Sequence, residues 1–426
     1  MVWNNAMRQV TAMSRTVMTE VHSPVRVAVM DLADPLSDLD CTRPSGPPYT
    51  AAWILVCRSG RIVGSITIPL NGTLITAAEL GYELCHQLSG AETKNPQIDA
   101  LTLARMSIVI PTNLARPDQL RRCVERLTKL DYPDYEIIIV DNRPGEAPPV
   151  AIPGARVVRE PRPGISAARN CGIAVATGDV IAFTDDDVVP DHRWLRALGE
   201  RFAREPDVAA VTGLVVPLEL ETQAQVLFEQ SGNGPDRCFE RLTFERVGRF
   251  KVLRRAHETG TEQIRSIYLT GEFGTGSNMA FRKEKLLAVG GFDEALGVGT
   301  PTCGGEDIAM LVEMLTTGNR LVYEPDAIIQ HSHRATLAEL EQQLHGYGIG
   351  FTALLTAIAL RNPWHGLGLA AILPAWLLSL RDPLSAKNAH RTRDYPRALA
   401  RAELLGMFRG PFAYIHSRQV QRRWRQ

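Results

Sequence analysis

The chain has 426 residues, which is too long for one ordinary hydrophobic core and predicts two or three domains. Hydrophobic residues make up 45% and charged residues 22%, the balance of a globular protein and not of a disordered or fibrous chain. The 47 basic and 47 acidic residues give a formal net charge of zero, and no nucleic-acid partner is expected.

Cysteine usage indicates a reducing compartment. The cysteines are odd in number and scattered, without a Cys-x-x-Cys pair, which argues against a disulfide framework or a zinc site and favours a cytoplasmic protein. No continuous apolar stretch typical of a secretory signal is visible near the N-terminus. No uncharged apolar run reaches the roughly 18 residues that a membrane-spanning helix needs. The seven cysteines are Cys41, Cys57, Cys85, Cys123, Cys171, Cys238 and Cys303.

Residues 1–100 predict a small accessory α+β module. Residues 1–25 show no periodicity and are expected to be disordered. Two β-rich runs, Ala52–Cys57 and Ile62–Ile68, flank a four-residue turn and predict a hairpin. Thr76 and Glu79 then form a capping box that opens an amphipathic helix. The polar stretch Ser89–Asp99 serves as the linker to the next domain.

From Met106 onward, strands and helices alternate. The strands are apolar along their whole length, as in a sheet buried on both faces, and they are separated by helices. We therefore predict an α/β domain of the Rossmann type over residues 101–340, with a mostly parallel sheet flanked by helices. The predicted elements are the strand Ser107–Pro111, the helix Asp118–Leu130, the strand Glu136–Val140, the helix Ile165–Ala176 and the strand Asp179–Thr184.

Carboxylates follow two of these strands. Asp141 ends the second strand, and Asp185, Asp186 and Asp187 end the third. Ligands bind beyond the carboxyl ends of the strands in such sheets, and three adjacent acids repel one another unless a cation lies among them. The pattern predicts a divalent-metal site, with a solvated acidic turn as the plain alternative.

Eight segments, taken together and in this order, resemble the family 2 glycosyltransferases of GT-A fold, which are inverting and use nucleotide-sugar donors. The resemblance covers about half of the chain, roughly from Met106 to Arg334. The segments are Ser107–Thr112, Ile139–Asn142, Gly164–Gly172, Phe183–Asp187, Gly276–Arg282, Gly290–Glu294, Gly305–Asp307 and His331–His333.

The resemblance implies a donor site. Asp141 would accept a hydrogen bond from the donor base, and because a carboxylate suits the imide N–H of uracil, a UDP-sugar is favoured. The residues after Asp141 depart from the family's usual acidic turn. The plain alternative for Asp141 is an Asx turn that ends the strand. The other implied donor-binding residues are Pro111, Thr112, Arg169, Asn170, Asp185 and Asp186.

The resemblance also implies a metal site that holds Mg²⁺ or Mn²⁺ against the donor diphosphate. Asp185 and Asp187 share one face of an extended segment and are the expected carboxylate ligands. Asp186 would instead reach the ribose. His331 would be the third ligand, and a structural histidine near a strand end is the alternative.

The resemblance assigns catalysis to the Glu306-Asp307 pair. Asp307 would be the general base that deprotonates the acceptor hydroxyl, and Glu306 would orient the acceptor. The alternative is that these carboxylates only cap the helix predicted over Ile308–Leu315. The charged and irregular segment Leu218–Tyr268 corresponds to the region that shapes the acceptor site in this family. The acceptor is expected to be a glycan, a lipid-linked molecule or a small molecule.

The C-terminal segment 341–426 predicts a helical extension with a strongly basic end. Residues 381–426 contain eleven basic and three acidic residues, which leaves 36 basic and 44 acidic residues in the preceding 380. A basic tail on an acidic body suggests peripheral contact with an anionic membrane surface through residues 345–426. A solvated tail on a helical extension explains the same charges.

Three rival functions are weighed. A sugar-1-phosphate nucleotidyltransferase needs a glycine-rich phosphate loop after the first strand, and Thr112–Arg116 contains no glycine. A methyltransferase would rely on Gly271, Gly274 and Gly276, but no helix pattern follows them. A catalytically silent nucleotide-sugar-binding scaffold would not need the Asp307 carboxylate.

Overall fold

The computed structural model describes residues 23–43, 45–70, 72–88, 102–231, 238–268, 270–379, 388, 391 and 394–424. Most of the N-terminal stretch 1–25, the predicted linker 89–99 and much of the basic segment between 380 and 393 lie outside the described residues.

The N-terminal sheet has three strands. The predicted hairpin is confirmed as β2 (Ala51–Arg58) and β3 (Arg61–Pro69), joined by a two-residue turn. β1 (Val25–Asp31) lies parallel to β2 on its other side, a pairing that the sequence does not predict. Helix α1 (Ala77–Gln87) begins at the predicted capping box and covers one face of the sheet.

The second face of this sheet packs against the rest of the protein. Val25, Trp53 and Leu55 belong to the same buried cluster as the strands of the main sheet. The backbone N–H of Val25 donates to the carbonyl of Leu220 at 2.9 Å. The described residues of this N-terminal module therefore share part of their core with the main sheet.

Four strands of the main sheet form the predicted parallel unit. Their order is β6-β5-β4-β7, and every neighbouring pair is parallel. The helices that connect them bury their apolar faces against the sheet. The elements are β4 (Met106–Thr112), α2 (Pro117–Leu127), β5 (Tyr135–Asp141), β6 (Arg156–Arg159), α3 (Ile165–Val175) and β7 (Val180–Phe183).

The remainder of the main sheet is mixed. β13 lies antiparallel between β7 and β9, β14 lies parallel to β9, and the short β8 lies antiparallel to β14. The α/β class is confirmed, but the sheet is mixed: beyond the first four strands, β9 with β14 is the one further parallel pair among its described strands. The elements are β8 (Val188–Pro190), α4 (Trp194–Arg204), β9 (Val208–Pro217), α5 (Gln223–Gln230), β13 (Met279–Arg282), α6 (Lys283–Ala288), α7 (Glu306–Thr316) and β14 (Arg320–His331).

The segment expected to be irregular, Leu218–Tyr268, contains an antiparallel meander that extends the sheet. Its strands are β10 (Leu242–Arg246), β11 (Lys251–Ala256) and β12 (Glu262–Ser266). β10 pairs with β14, and β12 is the outermost strand of that side. The expectation was wrong because the exposed positions of these edge strands carry charged residues that mask the period-two pattern.

The described part of the C-terminal extension contains three helices: α8 (Leu337–Arg361), α9 (Pro363–Ser379) and α10 (Arg397–Trp424). Among the described residues, α8 is the one helix whose length and composition would allow it to cross a membrane. It is also a helix with protein partners, since α10 packs along it and Leu340 and Leu344 pack with residues of α5. Length and composition alone are therefore weak evidence of a span.

Candidate active site

The pairing of β8 with β14 brings the predicted metal ligands together. In this register His331 lies opposite Val188, the residue that follows the triple Asp in the chain. The backbone N–H of Ser332 donates to the carbonyl of Asp187 at 3.1 Å and extends this pairing. The imidazole Nε2 of His331 consequently lies 3.3 Å from a carboxylate oxygen of Asp187.

Asp185, Asp187 and His331 form a group that fits a divalent cation. One ligand atom from each residue lies within 4.8 Å of the others. Among the described residues, none donates a hydrogen bond to one buried carboxylate oxygen of Asp185 or to one of Asp187. Buried acceptors without partners are costly, and oxygen ligands with one imidazole suit Mg²⁺ or Mn²⁺. The three residues thus present the donor set that such an ion requires.

Electrostatics separate the two carboxylates of this group. Burial, reinforced by Asp187 and opposed by Arg169, raises the pKa of Asp185 to about 6. Burial acts on Asp187 in the same sense, but the charges of His331, Arg116 and Arg334 outweigh it and lower the pKa of Asp187. Asp187 therefore carries the firmer negative charge of the pair.

Asp186 points away from the group and is held by β4 and the loop after it. Its carboxylate accepts from Thr112 Oγ1 at 2.6 Å and pairs with the Arg116 guanidinium at 2.6 Å. The same guanidinium also pairs with Asp187. The predicted contact of Asp186 with the ribose stays a prediction, since in this structure both of its oxygens bond to protein.

Arg169 lies between the metal-ligand group and the candidate catalytic pair. It is buried, it donates to Glu306 at 2.8 Å, and another of its nitrogens lies 3.6 Å from Asp185. Its guanidinium also lies over the ring of Phe292, 5.4 Å from the centroid. The expected direct contact with donor remains untested, and the geometry gives Arg169 the role of tying Asp185 to Glu306.

Asp307 begins helix α7 and faces Gly276. One carboxylate oxygen accepts the Gly276 backbone N–H at 2.7 Å, and the other accepts from Ile308 at 2.8 Å. A Cβ on Gly276 would approach the Arg169 guanidinium to 2.7 Å. The absence of a side chain at Gly276 therefore leaves room for Arg169 and Asp307 to pack against it. Burial, reinforced by Asp307 and opposed by Arg169, raises the pKa of the neighbouring Glu306 to about 7.

The side chain of Asn170 is occupied by a different segment. Its amide donates to the carbonyl of Phe292 at 3.0 Å, and its oxygen accepts the Phe292 N–H at 2.8 Å. These bonds fix the loop before Glu294. Donor binding by Asn170 stays a prediction, and the structure shows a loop-holding role.

The predicted base-binding residues lie next to each other at the end of two parallel strands. Thr112 of β4 is in register with Asp141 of β5, and Pro111 precedes it in the same buried strand end. The Asp141 carboxylate is covered by Arg143, which donates to both of its oxygens at 3.0 and 2.7 Å. Arg159 donates to the same carboxylate at 3.2 Å. Base binding by Asp141 stays a prediction, and in this structure the carboxylate is paired with two arginines.

Comparison with known families identifies the domain that contains these residues. The family described as glycosyl transferase family 2 matches residues 107–290. The chain carries a family 2 glycosyltransferase domain. The resemblance predicted from the motifs is thereby confirmed.

Two curated relatives have similar glycosyltransferase sequences. The chain is 30% identical over 303 residues to the pre-mycofactocin glycosyltransferase of Mycobacterium tuberculosis, covering 69% of this chain and 56% of that protein. It is 26% identical over 237 residues to the glucosyl-dolichyl phosphate glucuronosyltransferase of Haloferax volcanii, covering 53% of this chain and 69% of that protein. The chain thus spans little more than half of the mycobacterial relative.

Solved glycosyltransferase structures align more loosely. A mannosyltransferase from Pyrobaculum calidifontis, in complex with GDP-Man and Mn²⁺, aligns at a TM-score of 0.43 with 17% identity, over 74% of this chain and 90% of its own.

Two further residues near the site have contacts that the motifs do not predict. Arg116 pairs with Asp186 and Asp187 of the triple Asp. The sequence signal for this ion pair is the position of Arg116 after β4, at the same edge of the sheet as the three acids. His333 is bound to a different partner from His331, because its imidazole Nε2 lies 2.6 Å from Glu229 and its ring is tilted against that of Phe228.

Proposed function

We propose that this domain transfers a sugar from a nucleotide-sugar donor to a hydroxyl of a glycan, lipid-linked or small-molecule acceptor, with inversion at the anomeric carbon. The observation that carries the proposal is the grouping of Asp185 and Asp187 with His331, in which one oxygen of each carboxylate accepts no hydrogen bond from a described residue. The group lies at the sheet edge that Arg169 connects to the catalytic pair. Such an edge is where α/β sheets bind their ligands.

Asp185, Asp187 and His331 would hold Mg²⁺ or Mn²⁺. The bound ion would supply the positive charge that neutralises the departing nucleoside diphosphate. Arg116 stands at the same carboxylates and is the protein's own cation for this region. The metal ion and Arg116 would each lower the repulsion among the three acids. We therefore expect them to compete for the carboxylate of Asp187.

Asp307 would act as the general base. The acceptor O–H gives its proton to the Asp307 carboxylate while the acceptor oxygen forms a bond to the anomeric carbon, and the nucleoside diphosphate departs with the electrons of the broken C–O bond. The Gly276 N–H and the start of α7 hold this carboxylate in position. Glu306, fixed by Arg169, would orient the acceptor.

A UDP-sugar is the favoured donor. The support is chemical, since the buried carboxylate of Asp141 would accept the imide N–H of uracil. Thr112, in register with Asp141, would lie beside the nucleotide. Arg143 covers this carboxylate, so we expect donor affinity to include the cost of displacing it.

Two substitutions test the assignment of roles. Asp307→Asn should keep the shape of the side chain, retain UDP binding and lower transfer by about 10²–10⁴-fold, the usual contribution of a general base. Asp187→Ala should instead abolish the Mn²⁺-dependent part of UDP binding. Titration calorimetry with and without Mn²⁺ measures binding, and release of UDP from a panel of UDP-sugars measures turnover.

The same measurements separate the enzyme from a catalytically silent nucleotide-sugar-binding scaffold. A scaffold would bind UDP-sugar and release no UDP with any acceptor or with water. Full transfer by Asp307→Asn would refute the base assignment, and Mn²⁺-independent binding that Asp187→Ala leaves unchanged would refute the metal role.

A further inference from the structure

Helix α10 has one face packed against α8 and another face that is exposed among the described residues and is called here the bare face. The packed face includes Gly406 and Gly410, which lie against the backbone of α8. The bare face carries five large apolar side chains that are between 40% and 77% exposed. Their spacing keeps them on one side of the helix for three turns. They are Leu404, Leu405, Phe408, Phe412 and Ile415.

Arginines flank this apolar stripe on both sides. The exposed cations before it are Arg397 and Arg401, and those after it are Arg418, Arg422 and Arg423. The single carboxylate of α10 is Glu403, which is buried and accepts from Arg391 at 3.0 Å. The bare face of α10 therefore combines apolar and positively charged groups without an exposed carboxylate.

We propose that the bare face of α10 docks on a bilayer that contains anionic phospholipid. A helix with an apolar stripe and a cationic border lies in the plane of the membrane interface, with its apolar side chains below the headgroups. Arginine side chains at the border reach the lipid phosphates while their methylene groups stay in apolar surroundings. The proposal rests on α10 alone and is independent of the proposed transfer reaction.

Charge decides against a second copy of this chain as the occupant. Two copies of the face would bring Arg401, Arg409, Arg422 and Arg423 near their own counterparts, and no exposed carboxylate on α10 would compensate them. Like charges across an interface oppose association. An anionic lipid surface supplies the missing negative charge.

The docking surface lies close to the candidate base. Gly305, next to the catalytic pair, packs on α8 so tightly that a Cβ there would approach the Gly350 carbonyl to 2.6 Å. α10 packs on the same stretch of α8, at Ile349 and Ala353. Helices α8 and α10 separate the loop at Gly305 from the bare face, and two helix diameters amount to roughly 20–24 Å.

Vesicle co-sedimentation of the full chain tests the proposal. The probes are vesicles of phosphatidylcholine mixed with phosphatidylglycerol and vesicles of phosphatidylcholine alone. We expect retention on the anionic vesicles that weakens as salt rises. The double variant Phe408→Ala/Phe412→Ala should reduce the partition coefficient by roughly 10–100-fold, and Arg422→Gln/Arg423→Gln by about 5-fold for each arginine.

A matched control removes apolar side chains of similar exposure elsewhere. Tyr82→Ala/Ile264→Ala alters α1 and β12, is expected to fold like the parent, and should leave vesicle binding unchanged. Circular dichroism and thermal melting establish that all variants are folded. Equal retention on both vesicle types, or equal loss in the control and in Phe408→Ala/Phe412→Ala, would overturn the proposal. So would a dimer in light scattering that the Phe408→Ala/Phe412→Ala variant dissociates.

Discussion

At the scale of single residues, Arg116 takes part in the balance of charge at the site. Asp186 and Asp187 are both buried, and both pair with the same guanidinium. Two buried carboxylates that lose their cation repel each other and lose their compensation for desolvation. The arginine thus stabilises the acidic segment in the form of the protein without metal.

We predict that Arg116→Gln lowers the free energy of unfolding by about 1–3 kcal/mol, a range reduced because the guanidinium is partly exposed. Mn²⁺ should raise the melting temperature more in this variant than in the parent, because the competing cation is gone. Thermal melting with and without Mn²⁺ measures both effects. The control is Arg121→Gln, in helix α2, where the arginine forms an exposed ion pair with Asp118. Identical behaviour of the two variants would contradict the role of Arg116.

The sequence could identify the acids of the site but not their partners. Asp185, Asp187 and His331 were predicted because strand ends and motif order are local properties of the chain. The contacts of Arg169 and Asn170 were not predicted, since they join segments that are more than 100 residues apart. Side chains from distant segments meet only through the tertiary packing, which no local pattern encodes.

At the scale of elements, the pairing of α8 with α10 depends on small residues. A Cβ on Gly410 would lie 2.0 Å from Thr352 Oγ1 and 2.4 Å from the Ile349 carbonyl. Thr352 also donates a hydrogen bond to the backbone of α10. Pro411 cannot donate to the Met407 carbonyl within the helix, and Thr352 Oγ1 donates to that carbonyl at 2.7 Å. Close approach thus supplies the hydrogen bond that the proline removes.

We predict that Gly410→Ala destabilises the protein by about 1–3 kcal/mol, although alanine favours a helix more than glycine does. The control is Gly366→Ala in α9, where the new Cβ meets its nearest neighbour at 3.7 Å. That change should be neutral or stabilise by up to ~1 kcal/mol. Urea unfolding of the two variants measures the difference. A stabilised Gly410→Ala protein would show that the helices do not approach as closely as described.

The helices and strands differ in how close together in the chain the residues that predict them lie. The capping box at Thr76 and the hairpin of β2 and β3 were predicted because a few adjacent residues determine them. The meander β10–β12 was missed, since its strands lie at the sheet edge and carry charge. The parallel pairing of β1 with β2 was also missed, because it joins strands about 20 residues apart.

At the scale of the whole molecule, the N-terminal sheet and the glycosyltransferase domain meet at Asp326. This carboxylate lies in a break of the β9–β14 register and accepts the backbone N–H of Ile62 at 3.0 Å. Burial is the main cause that raises the pKa of Asp326 to about 6, and the nearby Glu324 adds to it. The contact between the two sheets is therefore sensitive to pH.

The sign of this pH dependence follows from the two pKa values. In the unfolded chain the carboxyl ionises near pH 3.8, and in the folded protein near pH 6. Between these values the folded state holds the proton more tightly, so stability falls as pH rises through this window and stays lower above it. We predict that Asp326→Asn, whose amide oxygen can still accept from Ile62, removes this loss. Its free energy of unfolding should exceed that of the parent by about 1–3 kcal/mol at pH 7.

Urea unfolding of Asp326→Asn and of the parent at pH 4 and pH 7 measures the effect. The two proteins should differ little at pH 4, because the parent carboxyl is then protonated when folded and partly protonated when unfolded. Asp118→Asn, at an exposed position on α2, controls for the loss of one negative charge and should shift stability by less than about 0.5 kcal/mol at either pH. A gain by Asp326→Asn that is as large at pH 4 as at pH 7 would assign the effect to packing and not to ionisation. Because Asp326 joins the two sheets, a single unfolding transition that shifts as a whole would also show that the N-terminal strands unfold together with the glycosyltransferase domain.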